Sequence, residues 1–318
     1  MHSIGVWWLW LVFFIIISIV LTIDLFLFGG RKQHQVSLKS SFIWSGVWIG
    51  LSLLFNAFLW LYLAQSHTIS FANKKALEFF TAYLIEKSLS MDNIFIFVMI
   101  FHYFSIPLNF QRRLLLYGVL GAITSRLLLI LAGIWLINHF DWIFYLFGLL
   151  LIYSSIRIFS FQDGERSMSD NLILRGLRQV LPLTDSISDQ QFWVKEKGRY
   201  YFTPLFVVLV FIEISDLMFA VDSIPAVFGV TNDPFIAFTS NAFAILGLRA
   251  MYFILANIQN QFYFLKYGLA FILCFIGMKM LLHDVVEIPV LVTLAVVMFS
   301  LFASITLSKL LNIDTKKN

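Results

Sequence analysis

The sequence predicts an all-α membrane protein, a polytopic helix bundle with about nine transmembrane helices that include two inverted three-helix repeats. The 318 residues are 60% hydrophobic and only 13% charged, whereas soluble domains are roughly 45–50% apolar. The apolar residues fall in runs near the ~20 residues that cross the hydrocarbon of a bilayer. The basic residues between these runs are distributed unevenly, which is typical of a protein with a defined membrane orientation.

Polar residues, prolines and glycines separate the nine predicted spans. The spans run approximately over 6–29, 42–64, 77–104, 114–137, 142–159, 202–228, 234–255, 264–282 and 288–307. We expect one membrane domain over 1–318. Within it, 1–76 supplies two N-terminal helices, 77–160 a first repeat, 161–201 a cytoplasmic loop, 202–283 a second repeat, and 284–318 the last helix and a C-terminal tail.

The charge distribution predicts the orientation. The N-terminus lacks the positive region of a signal peptide, and 6–29 is too long for its apolar core, so this run is the first membrane helix. Alternating spans place most loop basic residues on one side, among them Arg31, Arg112, Arg113, Arg175, Lys195, Lys266 and Lys316, whereas the opposite loops hold only Lys74 and Lys75. The basic side is cytoplasmic. The pattern predicts a membrane protein with its N-terminus outside and its C-terminus in the cytoplasm.

The one substantial loop, 160–201, has balanced charge. It contains a short amphipathic run over 172–181, and then a predicted β-hairpin between Phe192 and Phe202 with Lys197 and Gly198 at its turn. The simpler interpretation is a structured connector, and the alternative is a regulatory or partner-docking segment.

Two acidic motifs of equal spacing indicate an internal repeat. Glu86 and Asp92 align with Asp216 and Asp222, and the alignment extends to the pairs Asn93 and Ser223, Gly118 and Asn241, and Arg126 and Arg249. Because span three runs inward and span six outward, the repeats have opposite orientation. Secondary transporters are often built this way, with their substrate sites near the bilayer midplane.

Five carboxylates lie inside the two motif spans: Glu86, Asp92, Glu213, Asp216 and Asp222. Each charge near the bilayer centre costs roughly 2.5–3.5 kcal/mol, so these groups must be compensated. Pairing with Lys87, Arg126 and Arg249, or protonation, is one explanation, and a cation site is the other. Acids six residues apart lie ~120° apart and ~9 Å along a helix. Either each helix donates one carboxylate to a shared site, or the helices unwind.

Neutral oxygen atoms accompany the acids. Asn93 and Ser223 follow Asp92 and Asp222, and Pro225 cannot bond the carbonyl of Val221, which is therefore a candidate ligand. Such oxygen donors suit Mn²⁺, Mg²⁺ or Ca²⁺ rather than Zn²⁺ or Cu⁺. The predicted metal ligands are Glu86, Asp92, Asn93, Glu213, Asp216 and Asp222. The predicted supporting residues are Ser223, Val221, Pro225, Arg126, Arg249, Lys87 and Asn241.

Several function classes lack a signal. Cys274 is the only cysteine, so no internal disulfide or CxxC pair can form. No phosphate loop, nucleophile elbow or HExxH pattern is present, and no basic patch is interleaved with aromatic residues. We therefore expect no enzyme, no prosthetic group and no nucleic-acid partner. The expected partners are a divalent ion and the lipid bilayer, and protein partners are unknown.

The motifs YLIEKSLSMDNIF, QRRLLLYGVLGA and EISDLMFAVDSIPAVFGVTNDPFIAFTSNAFAILGLRAMYFILA resemble the TerC family, and within it the Alx-like members. The resemblance covers nearly the whole chain and implies manganese export through the acidic residues of both motifs. We also expect proton antiport as the coupling, since buried carboxylates release protons when they bind metal. The family also carries the labels membrane-bound redox modulator and tellurium resistance, so a non-transporting modulator or stress scaffold is the alternative.

Overall fold

The computed structural model describes residues 3–28, 38–104, 106–140, 142–160, 182, 184, 191–196, 199–258, 264–282, 284–286 and 288–310, and it confirms an all-α membrane protein. The helices of this part of the chain are α1 (Trp7–Phe28), α2 (Leu38–Ser66), α3 (Ile69–Tyr103), α4 (Leu108–His139), α5 (Ile143–Ser160), α6 (Pro204–Phe228), α7 (Pro234–Leu246), α8 (Leu248–Ile258), α9 (Leu265–Leu281) and α10 (Val290–Leu310). Every predicted span coincides with one helix, except the seventh, which consists of α7 and α8.

Length and composition identify five membrane-crossing candidates in the described ranges. These are Lys39–Ser66, Phe110–His139, Pro204–Phe228, Pro234–Ile254 and Val290–Ser308, with shorter apolar helices over Trp7–Ile23 and Ile143–Ile156. The exposed faces are strongly apolar, since Phe299 and Phe302 of α10 are each 72% exposed. Such faces suit a lipid environment.

The boundaries predicted for two spans are wrong. α3 begins at Ile69 rather than near Leu77, and α4 begins at Leu108 rather than near Leu114. The extra N-terminal turns of both helices contain polar residues. Hydropathy alone therefore does not assign them to a membrane span, although they continue the helix. The 35 residues of α3 correspond to about 52 Å at ~1.5 Å per residue, which exceeds the ~30 Å hydrocarbon thickness.

The seventh span is interrupted in its interior. α7 ends at Leu246 and α8 begins at Leu248, with Gly247 between them. The sequence instead suggested an irregularity at Pro225, yet α6 continues through Pro225 to Phe228. The interruption at Gly247 was not predicted.

Helices of the first predicted repeat pack in pairs against helices of the second. α3 packs against α7, α4 against α6, and α5 against α9. The first helix of each predicted repeat thus contacts the second helix of the other, and the two third helices contact each other. Two triplets related by a two-fold axis would pack in this way, which supports the predicted inverted repeat. The repeat itself stays a prediction.

Contacts between chain ends and loops agree with alternating crossings. Ser3 Oγ donates to Asp233 Oδ1 over 3.0 Å, which joins the N-terminus to the start of α7. Tyr252 donates its hydroxyl hydrogen to Gln111 Oε1 over 2.7 Å, which joins α8 to the start of α4. The nine predicted crossings would place the first pair on one side of the bilayer and the second pair on the other.

The predicted β-hairpin is confirmed. β1 (Trp193–Glu196) pairs antiparallel with β2 (Arg199–Phe202), with Glu196 opposite Arg199. The amphipathic run predicted over 172–181 lies outside the described residues.

Candidate functional site

Arg126 of α4 lies at the centre of a buried polar site. Its guanidinium forms an ion pair with Glu86 of α3 and another with Asp216 of α6, where Nη2 is 3.2 Å from Oδ1. The side chains of Arg126 and Glu86 are 1% and 0% exposed. Nε also lies 3.5 Å from Asp216 Oδ2. One guanidinium therefore connects the two helices that carry the acidic motifs.

Neutral side chains complete the bonding around these charges. Arg126 Nη1 donates to Ser223 Oγ at 2.9 Å and to Asn241 Oδ1 at 3.3 Å. Asn241 Nδ2 donates to Glu86 Oε2 at 2.9 Å, and Ser90 Oγ donates to Glu86 Oε1 at 2.9 Å. Buried charges persist in an apolar interior when they are paired and hydrogen-bonded in this way. We name Glu86, Ser90, Arg126, Asp216, Ser223 and Asn241 the Arg126 centre.

The formal charges of the Arg126 centre do not balance. Two carboxylates face one guanidinium, which leaves one excess negative charge when both acids are ionised. Lys87 follows Glu86, is fully buried and interacts electrostatically with it. With this ammonium included, two negative and two positive charges balance.

Glu213 lies beside the Arg126 centre. It is half-buried, and its carboxylate rests against α4 at Gly121, where a Cβ atom would lie 2.1 Å from Glu213 Oε1. Glycine permits this close approach. Glu213 and Asp216 interact electrostatically, as expected for two acids three residues apart on one helix.

Asp222 lies on another side of α6. Its Oδ1 accepts a hydrogen bond of 2.6 Å from Ser154 Oγ of α5, so it faces α5 rather than Arg126. Asn93 is buried in α3, and the side chain of Asp92 is outside the described part of the chain. Among the described side chains, no group of three or more His, Cys, Asp and Glu residues could hold a metal ion.

Both motif helices stay continuous. α3 is helical from Glu86 through Asp92, and α6 from Asp216 through Asp222. Each helix therefore contributes one motif carboxylate to the Arg126 centre without unwinding. Val221 is 52% exposed, so its side chain points away from Arg126.

A cavity of about 10 Å³ lies beside Asp216. Gly118 and Arg249 line it together with apolar side chains of α3, α4, α6 and α8. Arg249 and Asp216 therefore border the same cavity. The two arginines that the repeat aligns approach the same carboxylate region from different helices.

Lys87 secures the interruption of the seventh span. Its Nζ donates to the Ala244 carbonyl oxygen at 3.1 Å, and a Cβ atom at Gly247 would lie 2.3 Å from Nζ and 3.3 Å from Trp48 Cβ. An ammonium is favourable at the carbonyl end of a helix. Asn241, before the break, contacts Arg126, and Arg249, after it, lines the cavity.

Sequence reasoning missed several of these residues. Ser90 lies four residues after Glu86, so helical spacing could have identified it as a neighbour of that carboxylate. Gly121 and Gly247 stand in apolar runs where glycine is common. Ser154 gives no sequence signal, because only the packing of α5 brings it to Asp222.

Buried, paired charges inside an apolar helix bundle define a polytopic membrane protein with an internal polar site. The chain belongs to the Integral membrane protein TerC family, whose model matches residues 71–317. A protein of Escherichia coli (strain K12) named "Putative membrane-bound redox modulator Alx" is 50% identical over 297 residues, which cover 93% of this chain and 92% of that protein.

More distant relatives also align along nearly the full chain. A Salmonella typhi protein of the same name is 48% identical over 312 residues, 98% of this chain and 96% of its own. The "Uncharacterized membrane protein STKORF319" of Myxococcus xanthus is 42% identical over 306 residues, 96% of this chain and 93% of its own. No solved structure matches the chain.

Removing the central guanidinium tests how the site is held together. Arg126→Met leaves two carboxylates buried without their partner, and we expect a stability loss of roughly 3–5 kcal/mol, seen as a lower Tm in detergent. Adding Glu86→Gln and Asp216→Asn to this variant should restore most of the loss. Arg112→Met, the same change at the half-buried start of α4, is the control. Equal Tm values for both single variants would refute the assignment.

The interrupted span permits a double-mutant cycle. Gly247→Ala displaces the Lys87 ammonium from the Ala244 carbonyl, which should destabilise the protein by roughly 1.5–3 kcal/mol, the range for a hydrogen bond to a charged group. The same change in a Lys87→Met background should cost clearly less. A thermal unfolding series of the four proteins measures the difference, and equal costs in both backgrounds would show that Lys87 and Gly247 are not coupled.

Proposed function

We propose that the protein exports divalent metal ions, with Mn²⁺ the preferred ion, through the Arg126 centre. The observation that carries the proposal is that two carboxylates from different membrane helices, Glu86 and Asp216, meet in the interior around the guanidinium of Arg126. Ionisable residues placed within membrane spans are expensive and typically mark ion pathways. Helices of opposite predicted repeats supply the two acids, as in transporters with a midplane site.

Arg126 acts as the counter-charge of the metal-free protein in this proposal. The guanidinium and a metal ion require the same carboxylate oxygens, so they bind alternately. Metal entry from the cytoplasm displaces Arg126, and metal release outside allows it to return. Both carboxylates then have a positively charged partner in either state, which avoids an uncompensated carboxylate in a low-dielectric interior.

The donor chemistry supports a hard ion. When Arg126 is displaced, Glu86 and Asp216 offer carboxylate oxygens, Ser223 a hydroxyl and Asn241 an amide oxygen. Oxygen ligands favour Mn²⁺, Mg²⁺ and Ca²⁺ over softer ions. The family resemblance makes Mn²⁺ our choice among them, and coupling to inward proton movement stays a prediction.

The remaining predicted ligands would line the path that the metal ion takes to and from the Arg126 centre. Glu213 of α6 rests against Gly121 of α4, and Asp222 of α6 accepts a hydrogen bond from Ser154 of α5. We assign Asp92, Asn93 and the Val221 carbonyl near Pro225 to the same path from their sequence positions. Each of these groups can accept a cation in transit without joining the Arg126 centre.

The name of the Escherichia coli and Salmonella typhi relatives suggests a different function, redox modulation. In this chain Cys274 is the single cysteine, a free thiol in α9, so thiol chemistry would need a second molecule. A non-transporting scaffold is the other alternative. Metal flux across a sealed membrane separates both from a transporter.

Transport in proteoliposomes tests the proposal. Wild-type protein should carry Mn²⁺ across the vesicle membrane, and Asp216→Asn should reduce the flux to that of empty vesicles, because it removes one of the two carboxylates. Asp233→Asn is the matched control. Asp233 caps the start of α7 by accepting from the Phe235 backbone N–H at 2.9 Å, and asparagine caps a helix equally well.

Two results would count against metal export by this route. Wild-type protein that moves no Mn²⁺ would leave the scaffold or the redox modulator as the better description. Flux that is unchanged by Asp216→Asn would move the pathway away from the Arg126 centre. Competition by Mg²⁺ and Ca²⁺ in the same vesicles ranks the ions.

We also propose that the protein lies in the bacterial inner membrane with its N-terminus outside and its C-terminus in the cytoplasm. The basic loops of the predicted cytoplasmic side support this orientation. A green fluorescent protein fused to the C-terminus should fluoresce, and alkaline phosphatase at the same position should be inactive. The opposite pair of results would invert the topology.

A further inference from the structure

The β-hairpin is held against the membrane-proximal ends of two helices. The Phe192 ring, one residue before β1, meets the Tyr117 ring of α4 edge-on at 5.1 Å, and the Arg113 guanidinium lies 5.3 Å from the Phe192 ring centre. The Thr203 backbone N–H donates to the Phe192 carbonyl at 3.0 Å, immediately before α6 begins at Pro204. The hairpin is therefore docked on α4 and continuous with α6.

The strand register divides the hairpin into two faces. Trp193 is opposite Phe202, and Lys195 is opposite Tyr200. Because side chains alternate along a strand and paired residues share a face, these four residues lie on one face. Val194 and Tyr201 are paired on the other. We name the face of Trp193, Lys195, Tyr200 and Phe202 the aromatic face.

Two large rings of the aromatic face are more than half exposed in the described part of the chain. Trp193 is 56% exposed and Tyr200 is 62% exposed, whereas Phe202 stacks against Phe206 of α6 at 4.5 Å. An exposed aromatic patch beside a membrane helix is unfavourable in water and favourable at the bilayer interface, where Trp and Tyr concentrate. The patch has the composition of an interfacial anchor.

The position of the hairpin immediately before α6 determines its depth in the bilayer. α6 is apolar from its first turn, beginning with Pro204, Leu205 and Phe206. Phe202 stands two residues before this helix, and Trp193 is its partner across the hairpin. An α6 that crosses the bilayer from its first turn would place the aromatic face where the hydrocarbon ends and the lipid headgroups begin.

A positive charge belongs to the same face. Lys195 is exposed, and its Nζ lies 5.6 Å from the centre of the Tyr200 ring. A long basic side chain beside aromatic rings at the interface extends its charge toward lipid phosphates. Basic groups near anionic lipids are attracted to their negative surface potential.

We propose that the aromatic face binds anionic phospholipid, with the rings of Trp193 and Tyr200 among the headgroups and the Lys195 ammonium at a lipid phosphate. The hairpin would then fix the start of α6, the helix that carries Asp216, relative to the membrane surface. This lipid site depends on the membrane location of the chain and not on metal transport.

Site-specific fluorescence tests the contact. Tyr200→Cys and, as the control on the opposite face, Val194→Cys are each made in a Cys274→Ser background, labelled with an environment-sensitive dye and reconstituted in phosphatidylcholine vesicles containing phosphatidylglycerol. The dye at position 200 should be quenched by headgroup-region spin-labelled lipid and shielded from aqueous iodide. The dye at position 194 should be quenched clearly less by the lipid.

Binding of phosphatidylglycerol tests the role of the Lys195 charge. Lys195→Gln should weaken phosphatidylglycerol binding to the detergent-purified protein, measured by native mass spectrometry, by about fivefold, which corresponds to ~1 kcal/mol per basic residue at an anionic surface. Lys74→Gln is the control, because Lys74 is an exposed lysine near the start of α3, on the predicted outer side of the bilayer. This change should leave phosphatidylglycerol binding unchanged.

Each readout can overturn the proposal. Iodide quenching at position 200 without lipid quenching would show that the aromatic face meets water or a soluble partner. Equal effects of Lys195→Gln and Lys74→Gln would remove the phospholipid phosphate from the site. Both readouts are independent of Mn²⁺ flux, so they stand if the transport proposal fails.

Discussion

Charged side chains inside a bilayer must be paired, and in this protein the pairing converges on one residue. Arg126 contacts Glu86, Asp216, Ser223 and Asn241, so the guanidinium joins α4 to α3, α6 and α7. These helices belong to both predicted repeats. The centre therefore fixes how the two halves meet, and any movement between the halves must break and replace these bonds.

The interrupted seventh span serves the same arrangement. At the break the Lys87 ammonium donates to the Ala244 carbonyl. Asn241, before the break, contacts Arg126, and Arg249, after it, lines the cavity beside Asp216. A glycine and a buried lysine thus shape the surroundings of the acids without being ligands themselves.

The spans were predictable from the sequence because long apolar runs in lipid have little alternative to helix. The hairpin was also predictable, since Lys197 and Gly198 mark a turn between aromatic runs. The choice of Arg126 over Lys87 and Arg249 as the partner of Glu86 and Asp216 was not, because it depends on which helices pack together. The interruption at Gly247 escaped prediction for a related reason, since a glycine in an apolar span is usually accommodated in an unbroken helix.

The account treats Arg126 and a divalent ion as competitors for the same carboxylates. The most direct measurement is a cryo-electron microscopy structure of the protein in a lipid nanodisc at saturating Mn²⁺. The account predicts metal density between Glu86 and Asp216, with the Arg126 guanidinium withdrawn from both. A structure in which Arg126 still bridges the two acids while Mn²⁺ occupies another position would contradict it.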